Sequence, residues 1–285
     1  MDTHLSPLDL ADLRRWIGRC EIVRDTITPR LEASFRATLD RAPRQPVAGE
    51  PATPGVHWCL APQIVQMEAL GDDGHPRAGG FLPPVPLPRR MWAGGELTFL
   101  DSLQVGDLVT RNSRIEDVAV KEGRSGTLCF VTVRHAWSTA RGTALDERQD
   151  IVYRAMSDEA PVAAGETAAQ SDVLWQRSWA CDPVLLFRYS ALTFNGHRIH
   201  YDRLYATEIE DYPDLVVHGP LQATALMMLA AEARGSAPRG FAFRGVSPLF
   251  AAGPFTVKGN RDGDGVRIWA CDRMGRTTMK AQASW

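Results

Sequence analysis

Apolar and polar residues follow two different periods along this chain, and the changes of period divide it. Over 221–233 the apolar residues fall on almost every face of a 3.6-residue repeat: Leu221, Ala225, Met228 and Leu229, but also Ala223, Leu226 and Met227. A helix apolar all round predicts burial. Its start is marked by His218-Gly219-Pro220, because proline suits the first helical position, and Gly235 offers a left-handed stop. Earlier helical spacings run over 6–18, where Ser6 caps, Pro7 starts and Leu8, Leu10, Leu13 and Ile17 recur. A second begins at Thr28-Pro29 and continues through Leu31, Phe35 and Leu39.

Elsewhere the period is near two. Residues 20–26 form a short extended piece, and strands are expected over 92–99, 108–118, 127–137 and 147–154. Gly94-Gly95 inside the first of these suggests a bulge or a close backbone approach. The second half begins at 175–179, and its expected strands are 241–247, 255–260, 266–272 and 277–284. Residues 58–70 fit a strand and a helix equally. Residues 41–55 read as a loop, and 71–90, the segment richest in turn formers, as a long one. Long loops inside a compact domain are often functional. Residues 156–171, polar and alanine-rich, read as a linker, and 183–193 lead into a polar loop.

Each half therefore places helical spacing first and an antiparallel strand run second. The run WAGGELTFLDSLQVGDLVTRNSRI in the first half corresponds to FAFRGVSPLFAAGPFTVKGNRD in the second, each followed by two more strands. This predicts two similar sheet-on-helix modules packed as a pseudo-dimer.

Composition narrows the function classes. A 44% hydrophobic and 23% charged chain is that of a soluble globular protein. A net charge of −2, with no long basic run, argues against nucleic-acid and membrane-surface partners. The five cysteines are scattered without a CxxC pair, so neither a zinc site nor a disulfide framework is expected, and a reducing cytoplasm is the simplest location. The N-terminus lacks the apolar core of a signal peptide. No phosphate loop, dinucleotide fingerprint or nucleophile elbow is present, and no cofactor is expected.

The chemistry concentrates in the polar loop Phe194-Asn195-Gly196-His197-Arg198-Ile199-His200-Tyr201-Asp202, which precedes the buried helix. Three of the seven histidines fall between 193 and 235. His200 is the candidate proton acceptor, since a neutral imidazole works near pH 7. Asn195 either orients water or holds a turn before Gly196. Asp202 either pairs with a histidine or caps a short helix at 203–207, the cap being favoured. His197 and Arg198 either touch substrate phosphate or are solvated. The His-x-x-His spacing is a poor zinc pattern, and no metal is expected. Gly219 lets backbone approach a ligand, and the free N–H groups of the helix start suit a carbonyl oxygen gaining negative charge. His75 and Arg89-Arg90 in the first-half loop read best as solvated.

The loop resembles the Gly-Asp-x-Asn-Pro-Ile-His-x-Asp signature of the MaoC-like hydratases and dehydratases, with His218-Gly219 at the start of the central helix. Together with residues 81–95 and 243–250 it is similar to the double-module branch, which includes mesaconyl-C4-CoA hydratases and 3-hydroxyacyl-thioester dehydratases. The resemblance implies an α+β double hotdog fold, with antiparallel sheets each wrapped on a central helix. A degenerate first module would span 1–157, and a second, carrying the catalytic loop, 172–285. It implies a hydro-lyase that moves water across an α,β-enoyl thioester of CoA, with a branched dicarboxylic acyl group of the mesaconyl or itaconyl type as one option. His200 and Gly219 match the family's histidine and oxyanion glycine. Asn195 stands where the family carries its acidic residue, so either Asn195 holds the water while His200 performs both proton steps, or His197 or Asp202 supplies the second group. Substrate contacts are expected from His218, Arg198 and Tyr201, and CoA contacts from Arg198, Arg203, Arg89 and Arg90. A hotdog thioesterase, a non-catalytic acyl-thioester binder, a carrier-protein substrate and homodimer formation stay open.

Overall fold

The computed structural model describes residues 9–42, 44–123, 126–155 and 173–285. The expected cap Ser6 with Pro7, and the linker 156–171, lie outside the described residues. The first described helix, α1, is shorter than its spacing suggested: it spans Leu10–Arg14 and is capped by Asp9, whose Oδ1 accepts from Ala11 N–H at 2.9 Å. Strand β1 (Cys20–Thr26) and helix α2 (Pro29–Thr38) follow as the pattern predicts. Thr28 Oγ1 accepts from Leu31 N–H at 3.0 Å, which satisfies one orphan donor of α2.

The ambiguous stretch after Gly55 is neither strand nor long helix. It holds two short 3-10 turns, Val56–Cys59 and Met67–Ala69. Four strands complete the half: β2 (Arg89–Phe99), β3 (Leu108–Gly123), β4 (Gly126–Thr139) and β5 (Gly142–Arg154). The Gly94-Gly95 expectation is met in both senses. The β2–β5 register shifts between Trp92 and Gly94, and a Cβ on Gly94 would sit 2.7 Å from the Phe243 carbonyl oxygen.

The second half repeats the plan: β6 (Trp175–Trp179), α3 (Pro183–Thr193), α4 (Gly219–Arg234), then β7 (Gly240–Gly245), β8 (Phe255–Asp262), β9 (Gly265–Cys271) and β10 (Thr277–Ser284). Helix α3 occupies the segment leading into the polar loop. Its signals were present: Asp182 Oδ1 accepts from Leu185 N–H at 2.8 Å, and Pro183 takes the first turn. Helix α4 runs as expected to Gly235, which has φ 75°. Residues Leu221 through Ala230 are all buried, and each fully buried Leu or Met side chain contributes about 1.5–3 kcal/mol of transfer free energy.

The strand order is β1-β3-β4-β5-β2-β7-β10-β9-β8-β6. The two half-sheets are thus joined into one antiparallel sheet through β2 and β7, with Gly95 opposite Phe243 and Leu97 opposite Phe241. The strands of the second half wrap α4, and α2 packs against α3. No described helix is long and apolar enough to cross a membrane.

Candidate active site

Helix α3 ends at Thr193, and Phe194 takes a left-handed conformation (φ 51°) that turns the chain into the polar loop. Asn195 N–H donates to the Ser190 carbonyl at 2.9 Å, and its side-chain Oδ1 accepts from His197 N–H at 3.0 Å. One face of this amide is thus spent on shaping the turn, while Asn195 still borders the cavity. A 3-10 turn, Arg198–His200, follows. Asp202 is engaged elsewhere. Its carboxylate accepts from Arg198 Nη2 at 2.7 Å and from Tyr205 N–H at 3.1 Å, closing the short π-helical turn Tyr205–Ile209. This is the capping role.

The loop's backbone then pairs with the strap before α4: Val216 N–H donates to Ile199 O at 2.9 Å. His200 Nδ1 lies 2.7 Å from the Val216 carbonyl. A carbonyl has no proton to give, so Nδ1 carries the hydrogen and Nε2 is the acceptor nitrogen. The His200 ring stacks on His218 with centroids 3.7 Å apart, and His218 Nε2 meets Ser190 Oγ at 2.9 Å. Burial pushes His200 down to about 4, the Val216 bond opposing it. Burial also drives His197 and His218 below the ordinary histidine value. All three are neutral near pH 7, which suits proton acceptance.

Gly219 opens α4, where first-turn N–H groups have no intrahelical acceptor. A Cβ there would lie 2.8 Å from the Trp92 ring. Trp92 comes from β2 of the other half and stacks on Phe243 of β7 at 4.4 Å. Gly219, Trp92, His197, His200 and His218 all line one cavity of about 1150 Å³ between the halves.

The first half contributes more than sequence reasoning allowed. His75 is not a solvated loop residue. It lines the cavity, its ring centroid is 4.1 Å from that of His197, and its Nδ1 is 2.8 Å from Asp73 Oδ2. Burial lowers the His75 value, opposed by Asp73; the Asp73 carboxyl, which burial would raise, is held below its usual range by His75. The loop is clamped to the second half: Arg198 N–H donates to Asp73 O at 2.9 Å and Arg198 Nη1 to Asp72 O at 3.1 Å. Asp73, His75 and His197 place three ligand-type atoms within 4.8 Å of one another. Two of the three already satisfy each other, which describes a hydrogen-bonded dyad.

Arg89 is not solvated either. It is buried, with Nε 3.1 Å from Glu210 Oε2 and a further bond to the Glu210 carbonyl. Arg203 pairs with Asp214 at 2.7 Å, and Arg198 with Asp202. Arg90 and Arg154 line the cavity and, among the described residues, have no carboxylate within ion-pair distance. Tyr201, half exposed, donates from its hydroxyl to Gly196 O at 3.0 Å at the cavity rim. The signal for His75 was the turn-rich length of its loop. Nothing local announced Trp92 or Ser190.

Residues 55–251 match the family model described as hydroxyacyl-thioester dehydratase type 2. The chain is 42% identical over 274 residues to the mesaconyl-C4-CoA hydratase of Chloroflexus aurantiacus, covering 95% of this chain and 97% of that one. Among solved structures, HtdX of Mycobacterium tuberculosis superposes with a TM-score of 0.66 at 17% identity, covering 93% of this chain and 99% of the other. A second protein of that organism, with a double hotdog fold, gives 0.59 at 13% identity over 96% of each chain.

Proposed function

The chain belongs to the hydroxyacyl-thioester dehydratase type 2 family and carries an α+β double hotdog fold, and from that premise we propose how its residues act and on what. It is a hydro-lyase of the acyl-CoA hydratase type, moving water across an α,β-double bond conjugated to a thioester. The observation that carries the roles is that His200 and the first turn of α4 at Gly219 line the same cavity. The thioester oxygen bonds to the N–H at Gly219, where preorganised donors stabilise the enolate charge of the transition state. His200 Nε2 accepts the proton of the attacking water. Asn195, with Oδ1 held by its own turn, keeps its NH₂ to orient that water. His218 packs behind His200 and fixes its plane.

The substrate is a CoA ester whose acyl group carries a free carboxylate. Mesaconyl-C4-CoA, which the 42%-identical relative is named for, is of this kind. Arg90, on the cavity wall near Asp73 but outside ion-pair distance of it, supplies the matching cation.

The test is a panel of enoyl-CoA esters, branched dicarboxylic ones included, followed by mass spectrometry for the gain of one water and by a thiol reagent for released CoA. Dicarboxylic esters are expected to gain water fastest, without free thiol. Arg90→Met should lower kcat/KM for the dicarboxylic ester roughly 10- to 100-fold more than for a monocarboxylic one, the usual worth of a charged hydrogen bond. Free thiol without hydrated product would replace this reading with a thioesterase.

A further inference from the structure

An enoyl-thioester hydratase moves two protons. One leaves water as its oxygen bonds to Cβ, and one arrives at Cα. His200 accounts for the first. The position that would carry a carboxylate in the loop signature is Asn195, which cannot give or take a proton as an acid does. The nearby alternatives within the second half are committed elsewhere. Asp202 is bound by Arg198 and Tyr205 N–H, and Glu210 by Arg89.

The cavity wall from the first half offers what is missing. His75 faces the cavity, and Asp73 stands behind it at 2.8 Å from Nδ1. A carboxylate there fixes the ring, keeps the hydrogen on Nδ1 and directs Nε2 outward. The same carboxylate stabilises the imidazolium form. Five histidines line the cavity, and the other four hydrogen-bond to neutral partners or meet only rings: Val216 O for His200, Ser190 Oγ for His218, Ser113 Oγ for His135, and other rings for His197. His75 is thus the ring whose cationic form a hydrogen-bonded carboxylate supports, against burial and the Arg90 charge. The geometry is held by main-chain contacts. Gly74 lies against Gly196, where a Cβ would sit 2.0 Å from the Gly196 oxygen, and Asp73 O accepts from Arg198 N–H. The loop is thus docked on the turn that presents His200.

Resting on the hydratase reading, we propose that the Asp73–His75 pair is the second proton-transfer group, delivered across the module boundary into the site of the other half. In hydration, His200 Nε2 takes a proton from water while the water oxygen bonds to Cβ. The π electrons shift to Cα and the thioester oxygen. Protonated His75 then gives its Nε2 proton to Cα. One O–H bond of water becomes N–H on His200, and one N–H bond of His75 becomes Cα–H. Exchange with solvent through the cavity then takes the proton from His200 and restores that of His75. Asp73 remains a carboxylate throughout and acts as the positioning residue.

The experiment uses the full chain with the best ester of the panel above. His75→Gln should cut kcat roughly 10²-fold or more, the range of an acid–base group, with KM and thermal midpoint close to wild type. In D₂O it should also suppress deuterium uptake at Cα of the 3-hydroxyacyl thioester. His75→Ala should regain part of its activity with added imidazole, and Asp73→Asn should fall between wild type and His75→Gln. A His75→Gln enzyme within about threefold of wild-type kcat overturns the proposal, as does a loss confined to KM or stability. Activity abolished by a chelator and restored by a divalent cation also overturns it, because Asp73, His75 and His197 would then be holding a metal. Wild-type chain that hydrates no ester at all overturns the hydratase reading itself.

Discussion

The two halves of the sheet share a plan but not a site. From the outer edge inward the strands run β1-β3-β4-β5-β2 in one half and β6-β8-β9-β10-β7 in the other. Each half opens with a strand and a proline-started helix, β1-α2 and β6-α3. The next element separates them. In the second half it is α4, sixteen residues with a buried core face on every side. In the first half it is a four-residue 3-10 turn, Val56–Cys59, entered through Gly55 at φ 95°. Under that turn sits a polar cluster: Glu147 is fully buried and accepts from Trp58 Nε1 at 2.7 Å, Trp137 Nε1 at 2.9 Å and Gln149 Nε2 at 2.7 Å. A short turn has no aligned peptide dipoles to hold an oxyanion. The first half has no long helix at the corresponding place among the described residues, and it contributes Trp92, Arg90 and His75 to the wall of the cavity.

The sharpest way to break this comparison is His200→Ala, which removes the proposed proton acceptor of the second half. Turnover should fall roughly 10²- to 10⁴-fold with the fold intact, read as kcat beside a circular dichroism melt. Near wild-type turnover would take His200 out of the mechanism. Next comes the seam. Gly219→Ala drives a methyl into Trp92 and should displace the proposed oxyanion donor, a loss of about 10²- to 10³-fold in kcat. Combining it with Trp92→Leu should return part of the rate if the clash is the cause.

A third prediction weighs one imidazole from each half. Burial holds His57, in the first half, down to about 4, and His200 likewise. An unfolded histidine binds its proton near 6.5. Between these values the unfolded chain holds more protons than the native one, so stability falls as pH drops from about 6.5 toward 4. Each fully buried ring contributes a slope of up to about 1.4 kcal/mol per pH unit. Urea melts across this window should show the slope, and His57→Gln should remove about one ring's share. A flat profile would mean the rings are not buried as described. The smallest effect tests the turn that replaces a helix. Gly55→Ala forces a side chain into φ 95° and to 2.8 Å from Thr224 Oγ1. It should cost about 1–3 kcal/mol, measured by urea unfolding, with kcat little changed.

Much of the fold was legible because its causes are local. The cap Thr28, Pro220 at a helix start, Gly235 at its end and the alternation of 127–137 act over a few residues, and each had its expected element nearby. The echo between the two halves showed that the plan repeats. Where local signals tied, as in 58–70, packing against α3 and α4 decided, and the result was neither option. The loop 194–202 could be singled out for the same local reason, since its residue types crowd into nine positions.

What the amino-acid order alone determined was which segments are strands or helices, and that one histidine-rich loop precedes one buried helix. Only the folded chain decided that β2 pairs with β7, that Trp92 presses on Gly219, and that Asp73 and His75 arrive beside His197 from more than a hundred residues away. The reason is physical. Capping and periodicity are set by neighbours along the chain, whereas the partners of a cavity side chain are set by where distant backbones cross.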